Sequence, residues 1–229
     1  MRKVKTAIIL IIVIIILAAL GFGVWKIMQW LAPSDERVLP GEHFVVPEGE
    51  VLTIQDDMLA RKNVQLREGY VYLPLALVRE LNDRFFWDES VQKLIFTTGT
   101  EKYVATAGEN FYYLNDKKTD AGRAILIEYA EEMYVLLDYV EEHLDLQYRM
   151  YLDPMRIVLN YHWGEYLCAD VTTDTQLRTG PDKECPILLD LLPGMQLQFF
   201  NSGGEQKNGY VMVMTEDGIY GYVRTKDIS

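Results

Sequence analysis

The chain has 229 residues, of which 49% are hydrophobic and 24% are charged, and its formal net charge is −12. This composition supplies enough apolar side chains for packed cores and excludes a wholly disordered chain. The excess of acidic groups repels polyanions, which excludes nucleic acid as a partner. Two cysteines are too few for a disulfide scaffold. Cys168 and Cys185 could form one bridge, although two separate buried thiols explain them at least as well.

The N-terminal segment is apolar over a length that suits a membrane span. Residues 7–25 carry no charged side chain, and as a helix they would extend about 28 Å, close to the hydrocarbon thickness of a bilayer. Basic residues precede this run, whereas acids begin only at Asp35. The positive-inside bias predicts that residues 1–31 form a cytoplasmic tip and a single membrane anchor, with the rest extracytoplasmic. A signal peptide cleaved near residues 18–21 is the alternative.

A linker and the first folded domain are predicted next. Residues 32–50 contain several helix-breaking prolines and charged side chains, so they predict an exposed juxtamembrane linker. The domain spans residues 51–161, and its first unit is centred on residues 70–97. Two strands, a short amphipathic helix that begins at or just after Pro74, and two further strands are predicted for this unit.

A weaker second copy of this unit is predicted about sixty residues further on. Residues 134–135 match residues 72–73 in pattern, and residues 156–158 match residues 93–95 after a shift of one residue. Strands between residues 103 and 114 are placed at the start of this copy. The domain is therefore predicted to be an α+β fold of two strand-strand-helix-strand units.

Three motifs of the first copy resemble the copper amine oxidase N-terminal-like, or stalk, domain: Tyr72-Leu73-Pro74-Leu75, Phe86-Trp87-Asp88 and Leu94-Ile95-Phe96. The resemblance covers residues 51–161. It implies a spacer that lacks the catalytic machinery of the oxidase, so neither copper nor another cofactor is expected. The second copy departs from the pattern because Leu136 stands where the proline would be.

The C-terminal part has a different periodicity. After a predicted linker at residues 162–169, turns recur every eight to twelve residues, which predicts a small all-β barrel over residues 170–229. Three motifs resemble, in order and spacing, the signature of bacterial SH3-like domains: Leu177-Arg178-Thr179-Gly180-Pro181, Leu192-Pro193-Gly194-Met195 and Asp217-Gly218-Ile219-Tyr220-Gly221-Tyr222-Val223. The resemblance implies binding of cell-wall peptide or glycan, or packing beside another domain.

Four residues of the barrel are candidates for contact with a ligand: Arg178, Tyr210, Tyr220 and Tyr222. Tyr210 and Tyr222 stand where the SH3-like signature commonly has tryptophan. Strand alternation places Tyr220 and Tyr222 on the same face, so both fill the core or both line a groove. The core is the favoured interpretation.

No catalytic or metal-binding residue is predicted. His43, His143 and His162 lack the i, i+4 partner of a zinc-binding helix motif. Cys168 lies near His162, but strand-like residues follow it, whereas the reactive thiol of a cysteine hydrolase sits at a helix start. Paired glutamates such as Glu141-Glu142 are favoured as a solvated surface rather than as glycosidase acids.

These patterns predict a non-enzymatic, single-span membrane protein of the cell envelope. The anchor contacts the lipid bilayer, the stalk presents the barrel, and the barrel binds peptidoglycan or a partner protein. The alternative is the targeting region of a wall or spore glycoside hydrolase of family 18 type, with its catalytic domain beyond Ser229 or in a partner. A membrane sensor is a weaker third hypothesis, because five residues before the span leave little to signal with.

Overall fold

The computed structural model describes residues 16–28, 32–144, 146–160, 163–201 and 206–229. The fold is mixed α+β, with strands in several sheets and few helices. The helical segments are α1 (residues 16–28), α2 (Pro40–His43), α3 (Leu75–Leu81) and α4 (Leu137–His143). The strands of the N-terminal part are β1 (Glu50–Gln55), β2 (Met58–Leu59), β3 (Val64–Arg67), β4 (Tyr70–Pro74), β5 (Phe85–Asp88), β6 (Lys93–Thr97), β7 (Lys102–Thr106), β8 (Phe111–Leu114), β9 (Lys117–Asp120), β10 (Leu126–Tyr129), β11 (Glu132–Leu136), β12 (Tyr148–Leu152) and β13 (Met155–Leu159).

Helix α1 presents its apolar side chains to the surface. The exposed members are Ile16, Leu17, Leu20, Phe22, Val24, Trp25, Ile27 and Met28. Within the described residues, no helix is both long and apolar enough to cross a membrane. Residues 7–15, which form the first half of the expected span, lie outside the described part of the chain.

The largest sheet contains both predicted units. In the part of the chain that the structure describes, it has 8 strands in the order β10-β11-β4-β3-β1-β13-β12, with β2 paired to β1. Strands β10 and β11 and helix α4 begin and end 62 positions after β3, β4 and α3. Strands β4 and β11 pair antiparallel, and Leu73 lies opposite Val135, its own equivalent. The two units are therefore related by a local pseudo-two-fold axis through this residue pair.

The second unit keeps the geometry of the first without its proline. Pro74 caps α3 with a φ of −53°, and Leu136 caps α4 with a φ of −55°. Proline fixes this backbone angle intrinsically, whereas leucine adopts it in an ordinary region of the backbone map. The side chain of Leu136 is also buried, with 3% exposed, so packing holds this position where the covalent ring is absent.

The strands between residues 103 and 114 were expected to open the second unit, and the structure places them with the first. Strands β7 and β8 continue the hairpin β5–β6 into a five-stranded sheet of order β5-β6-β7-β8-β9. Phe96 lies opposite Tyr103 across the β6–β7 pair. Pairing with β6 places Ala105 and Tyr112 in the same core as Leu94. The hairpin β12–β13 of the second unit instead pairs in parallel with β1.

The C-terminal part is an all-β unit. Its strands are β14 (Cys168–Asp170), β15 (Thr175–Arg178), β16 (Ile187–Leu191), β17 (Gln196–Phe199), β18 (Gln206–Lys207), β19 (Tyr210–Met214) and β20 (Tyr220–Arg224), with a 3-10 turn at Thr225–Asp227. Among the described residues, they form a seven-stranded sheet of order β14-β17-β19-β20-β15-β16, with β18 paired to β19. A bridge between Val171 and Ile228 joins the chain after β14 to the chain after β20. The SH3-like identity of this unit stays a prediction.

The segment at residues 32–50, expected to be an exposed linker, is attached to the C-terminal unit. Arg37 pairs in parallel with Ile187 beside β16, and the backbone N–H of Val38 donates to the carbonyl of Ile187 at 3.0 Å. Phe44 is 7% exposed and belongs to the core of the C-terminal unit. Transfer of an aromatic side chain from water into a core is favourable in free energy. Burial of Phe44 therefore explains why this segment packs on the C-terminal unit.

The two folded units are in contact through a buried junction. Ile54 and Val158 of the large sheet pack with Phe200 and Met214 of the C-terminal unit, and none of the four side chains is more than 1% exposed. Trp163, from the segment expected to be a linker at residues 162–169, packs against this junction.

Arg156 on β13 lies at this junction and is 2% exposed. Its Nε donates to the backbone carbonyl of Asp217, on the C-terminal unit, at 2.7 Å. Its Nη1 donates to the carbonyls of Pro154 at 2.8 Å and Asp153 at 3.1 Å. The Tyr151 ring lies 4.4 Å from the guanidinium carbon. The buried charge is therefore compensated by acceptors from both units.

Replacing Arg156 with methionine should lower the free energy of unfolding by about 2–4 kcal/mol, because the buried carbonyls that it serves would lose their donor. Urea unfolding followed by tryptophan fluorescence measures this change. Arg149→Met is the matched control, since Arg149 also contacts the C-terminal unit, through Glu216 at 3.1 Å, but is 48% exposed. The control should cost at most about 1 kcal/mol. Equal losses in the two variants would contradict the role of Arg156.

Candidate functional site

Arg178, a predicted ligand contact, is used inside the chain. It is 3% exposed, and its Nη1 donates to the carbonyls of Ser34, Lys183 and Cys185 at 3.0, 3.0 and 2.7 Å. Its Nη2 donates to the side-chain oxygen of Gln176 at 2.5 Å. The guanidinium therefore fastens the N-terminal segment and the loop before β16 to strand β15. Its positive charge is therefore buried and is not available for direct contact with a ligand.

Tyr220 and Tyr222 share one face of β20, as expected, and Tyr220 packs both against the core of the C-terminal unit and against the junction. Their neighbours Gly221 and Val223 are buried on the opposite face. The ring of Tyr220 stacks on Phe200, with centroids 4.9 Å apart, and packs against Phe44 at 4.6 Å. Burial raises the pKa of its hydroxyl. Tyr220 therefore serves the junction rather than an open groove.

Tyr222 is half-buried and lies opposite Arg178 on one neighbouring strand and Met212 on the other. The sequence therefore correctly placed both tyrosines on one face of β20. It did not predict that Phe44 and Phe200 cover this face at Tyr220. Phe44 comes from a segment that was assigned to a linker. The apolar run at residues 44–46 was the available signal.

Tyr210 lines a cavity of about 470 Å³ at one end of the C-terminal unit. The other lining residues are Asp182, Lys183, Asn208, Gly209, Arg224, Thr225 and Lys226. We call this cavity the Tyr210 pocket. Three of its residues are basic and one is acidic, in a chain whose net charge is −12. Ammonium and guanidinium groups beside a tyrosine are the donors that bind carboxylates and phosphates.

Local hydrogen bonds fix the walls of the Tyr210 pocket. The Thr225 hydroxyl donates to the carbonyl of Gly209 at 3.1 Å, and the Asn208 side-chain amide donates to the carbonyl of Pro181 at 3.2 Å. Arg224 is 40% exposed and pairs with Asp227 at 3.0 Å. Burial raises the pKa of the Tyr210 hydroxyl, and the positive charges of Arg178 and Arg224 oppose this shift. The hydroxyl thus stays protonated at neutral pH and can donate a hydrogen bond.

A second, larger cleft of about 820 Å³ lies at the junction of the two units. Its lining residues are Glu141, Leu146, Gln147, Tyr148, Arg149, Trp163, Glu165 and Glu216. We call it the junction cleft. An adjoining cavity of about 390 Å³ shares Trp163 and Glu216 with it. The lining includes three glutamates and one arginine, so the cleft disfavours anionic ligands. The sequence did not predict it, because its walls come from segments far apart along the chain.

The two cysteines are free thiols in the described structure, which is the alternative of two separate thiols that the sequence left open beside one bridge. Cys168 lies on β14, whereas Cys185 lies in the loop before β16, close to Gly180. Burial raises the pKa of the Cys168 thiol. A raised pKa lowers the thiolate fraction at neutral pH, so Cys168 is a poor nucleophile.

The histidines occupy unrelated positions. His43 packs edge-on against Phe44 at 4.8 Å, and His143 lies among aromatic rings at the end of α4. His162 lies outside the described residues. Over the described ranges, no group of three or more His, Cys, Asp and Glu residues could hold a metal ion.

Comparison with known families identifies the class of one domain. Residues 56–150 match the family model described as Copper amine oxidase N-terminal domain. This part of the chain, which includes both helices of the repeated units and the five-stranded sheet, is a copper amine oxidase N-terminal-like domain, and the predicted resemblance is confirmed for these residues. No curated protein and no solved structure matches the chain. Arg178, Tyr210, Tyr220 and Tyr222 lie outside the matched residues.

Labelling of Cys168 and Cys185 tests directly whether these two residues of the C-terminal unit are free thiols. Alkylation of the unfolded protein without reductant should add two labels per chain, because neither cysteine is in a disulfide. Intact-protein mass spectrometry counts the labels, and a sample reduced before labelling is the control. We also expect the urea midpoint to be the same with and without reductant. An unlabelled, unreduced chain that takes up two labels only after reduction would contradict this assignment.

Proposed function

We propose that the protein is a non-catalytic accessory protein of the cell envelope. Its N-terminal helix anchors it in the membrane, and its folded part lies outside the cytoplasm. The copper amine oxidase N-terminal-like domain is a platform for a C-terminal SH3-like barrel. The barrel binds cell-wall peptide through the Tyr210 pocket.

The N-terminal sequence and the surface of α1 support the anchor. The helix exposes eight large apolar side chains, among them Phe22 and Trp25. A contiguous apolar surface of this kind is unfavourable in water and favourable in lipid. Residues 7–25 are uncharged, and Arg2, Lys3 and Lys5 precede them, which favours a cytoplasmic N-terminus.

The charge of the Tyr210 pocket is the observation that carries the proposed binding function. Its excess of basic groups is a local exception on an acidic chain, and the buried guanidinium of Arg178 adds to it from behind Tyr210. A long polyanion would be repelled by the acidic body. A short peptide with one free carboxylate meets that repulsion only weakly, because salt screens charges separated by more than about 8–10 Å. The terminal carboxylate of a wall peptide fits this requirement.

The junction supports a platform role for the first domain. Arg156 and the buried cluster around Phe200 hold the C-terminal unit against the large sheet. A barrel held in this way keeps the Tyr210 pocket in a fixed orientation relative to the platform. Fixed orientation reduces the entropy lost on binding an extended polymer.

Retention of the full chain, solubilised in mild detergent, on purified peptidoglycan tests the binding function. The double variant Lys183→Glu/Lys226→Glu should weaken binding about tenfold or more, because it reverses two charges of the pocket. The matched control is Lys102→Glu/Lys117→Glu, which makes the same charge change on exposed strands of the five-stranded sheet. Equal weakening by both double variants, or no retention of the wild type above an acidic control protein, would contradict the proposal.

Flotation of the full chain with phospholipid vesicles tests the anchor. The wild type should float with the vesicles, and a variant lacking residues 1–31 should stay in the dense fraction, because the apolar helix supplies the membrane affinity. High-salt washing is the control, since a purely electrostatic attachment would be released by it. Flotation of the truncated variant to the same extent would show that another surface binds lipid.

The junction cleft favours a second candidate function, as the targeting region of a wall or spore glycoside hydrolase encoded further along the chain or in a partner. Trp163 and Tyr148 supply aromatic rings beside carboxylates, a combination that suits neutral sugars. Binding of soluble N-acetylglucosamine oligomers would favour this candidate if Trp163→Leu abolished it and Lys183→Glu/Lys226→Glu did not. Binding of wall peptide alone would favour the first.

A further inference from the structure

The imidazole of His143 is enclosed by aromatic rings where α4 packs on the five-stranded sheet. Its ring centroid lies 4.3 Å from that of Tyr103, 5.1 Å from that of Phe96 and 6.4 Å from that of Tyr112, all on the sheet. The ring of Tyr139, one turn earlier on α4, lies 4.2 Å away. This aromatic box is part of the contact between the helix and the sheet.

The hydrogen bond of His143 fixes which ring nitrogen carries the proton in the neutral form. Nδ1 lies 2.7 Å from the carbonyl oxygen of Tyr139, and because a carbonyl only accepts, Nδ1 carries the proton. In the described part of the chain, Nε2 of His143 and the hydroxyl of Tyr139 are buried without a hydrogen-bond partner. Protonation of Nε2 would place a donor and a positive charge at a buried position where this nitrogen makes no hydrogen bond. Both changes are costly in an apolar environment.

The charged groups near the box oppose this cost only in part. The hydrogen bond to the Tyr139 carbonyl favours the protonated imidazole, and so do Glu142 on α4 and Glu101 before β7. Glu101 already accepts a hydrogen bond from the Tyr103 hydroxyl at 2.8 Å, which raises the pKa of that hydroxyl to about 12. The uncharged groups of the box are Phe96 and the hydroxyls of Tyr103, Tyr112 and Tyr139. Burial outweighs the carboxylates, and the pKa of His143 lies below its ordinary value of 6.5.

We propose that His143 is an acid-sensitive switch that weakens the packing of α4 on the five-stranded sheet when the imidazole becomes protonated. A base whose pKa is lower in the folded state than in the unfolded state takes up its proton more readily when unfolded. The contribution of neutral His143 to the free energy of unfolding is therefore fully present above about pH 6.5. It is lost as the pH falls from there through the lower pKa of the folded state. At a pH below both pKa values, each pKa unit of difference raises the unfolding equilibrium constant by up to a factor of ten.

The switch would act on the junction cleft. Glu141 on α4 lines that cleft, as do Leu146, Gln147 and Tyr148, which follow the helix. The Tyr148 hydroxyl donates to Glu141 at 3.4 Å. Loosening the end of α4 at His143 would thus change the wall of the cleft. This proposal is independent of the ligand assigned to the Tyr210 pocket.

A histidine NMR titration of the full chain in mild detergent measures the switch directly. The ring-proton signal that disappears in His143→Phe belongs to His143, and it should titrate with a midpoint below 6.5. A midpoint at or above 6.5 would overturn the proposal, because protonation would then stabilise the folded state.

Urea unfolding at about pH 7.5 and pH 5 measures the consequence. The unfolding free energy of the wild type should fall more than that of His143→Phe, by the equivalent of at least about threefold in the unfolding equilibrium. His143→Gln, which cannot become charged, replaces the phenylalanine variant if overpacking prevents folding. Burial also lowers the pKa of His43, although that residue is exposed overall, so His43→Asn should remove a smaller part of the acid response than the His143 variants. Equal acid responses in the wild type and both His143 variants would overturn the proposal.

Discussion

The structure depends on the compensation of one buried charge. The guanidinium of Arg156 stands on β13 of the first domain, and its acceptors include the backbone of Asp217 in the C-terminal unit. Removing these acceptors would leave an uncompensated charge in the interior, which costs several kcal/mol. The close approach also depends on Gly218, which has a φ of +78° and where a Cβ would lie 3.0 Å from Val158. The two units are thereby held in one arrangement, and the junction cleft and the position of Phe200 follow from it.

Local chemistry made much of the first domain predictable. Pro74 sets the start of α3, and the alternation of apolar residues around it gave the strands and the helix in the correct order. The repeat was also accessible, because both units are spaced by a nearly constant number of residues. Two features were not accessible. Leu136 holds its cap geometry by packing rather than by a covalent ring, and β7 joins the first unit because β6 offers a free edge, which chain order does not reveal.

The candidate site shows the limit of sequence patterns more sharply. Arg178 and Tyr220 were predicted to contact a ligand, whereas in the structure both side chains have partners inside the chain. Their partners Ser34 and Phe44, however, come from a segment more than 130 positions earlier in the chain. Tyr210 was also predicted to contact a ligand, but the basic groups around it come from the loop before β16, from the end of β20 and from the 3-10 turn, which meet only in three dimensions. The sequence therefore showed which residue types are present on these strands. Contacts with segments distant in the chain decide how exposed their side chains are.

The parallel pairing of β1 with β13 has a consequence for how the chain reaches its folded state. Strand β1 is among the first folded segments to be synthesised, and its partner ends at Leu159. The segment around Arg37 can pair only after Ile187, which lies later in the chain than Leu159, has been synthesised. Contacts of such high sequence separation form late and slowly, because the intervening chain must first be closed into a loop. Until then β1 is paired only with β2 and β3, and its other edge is open to misassociation in the newly made protein.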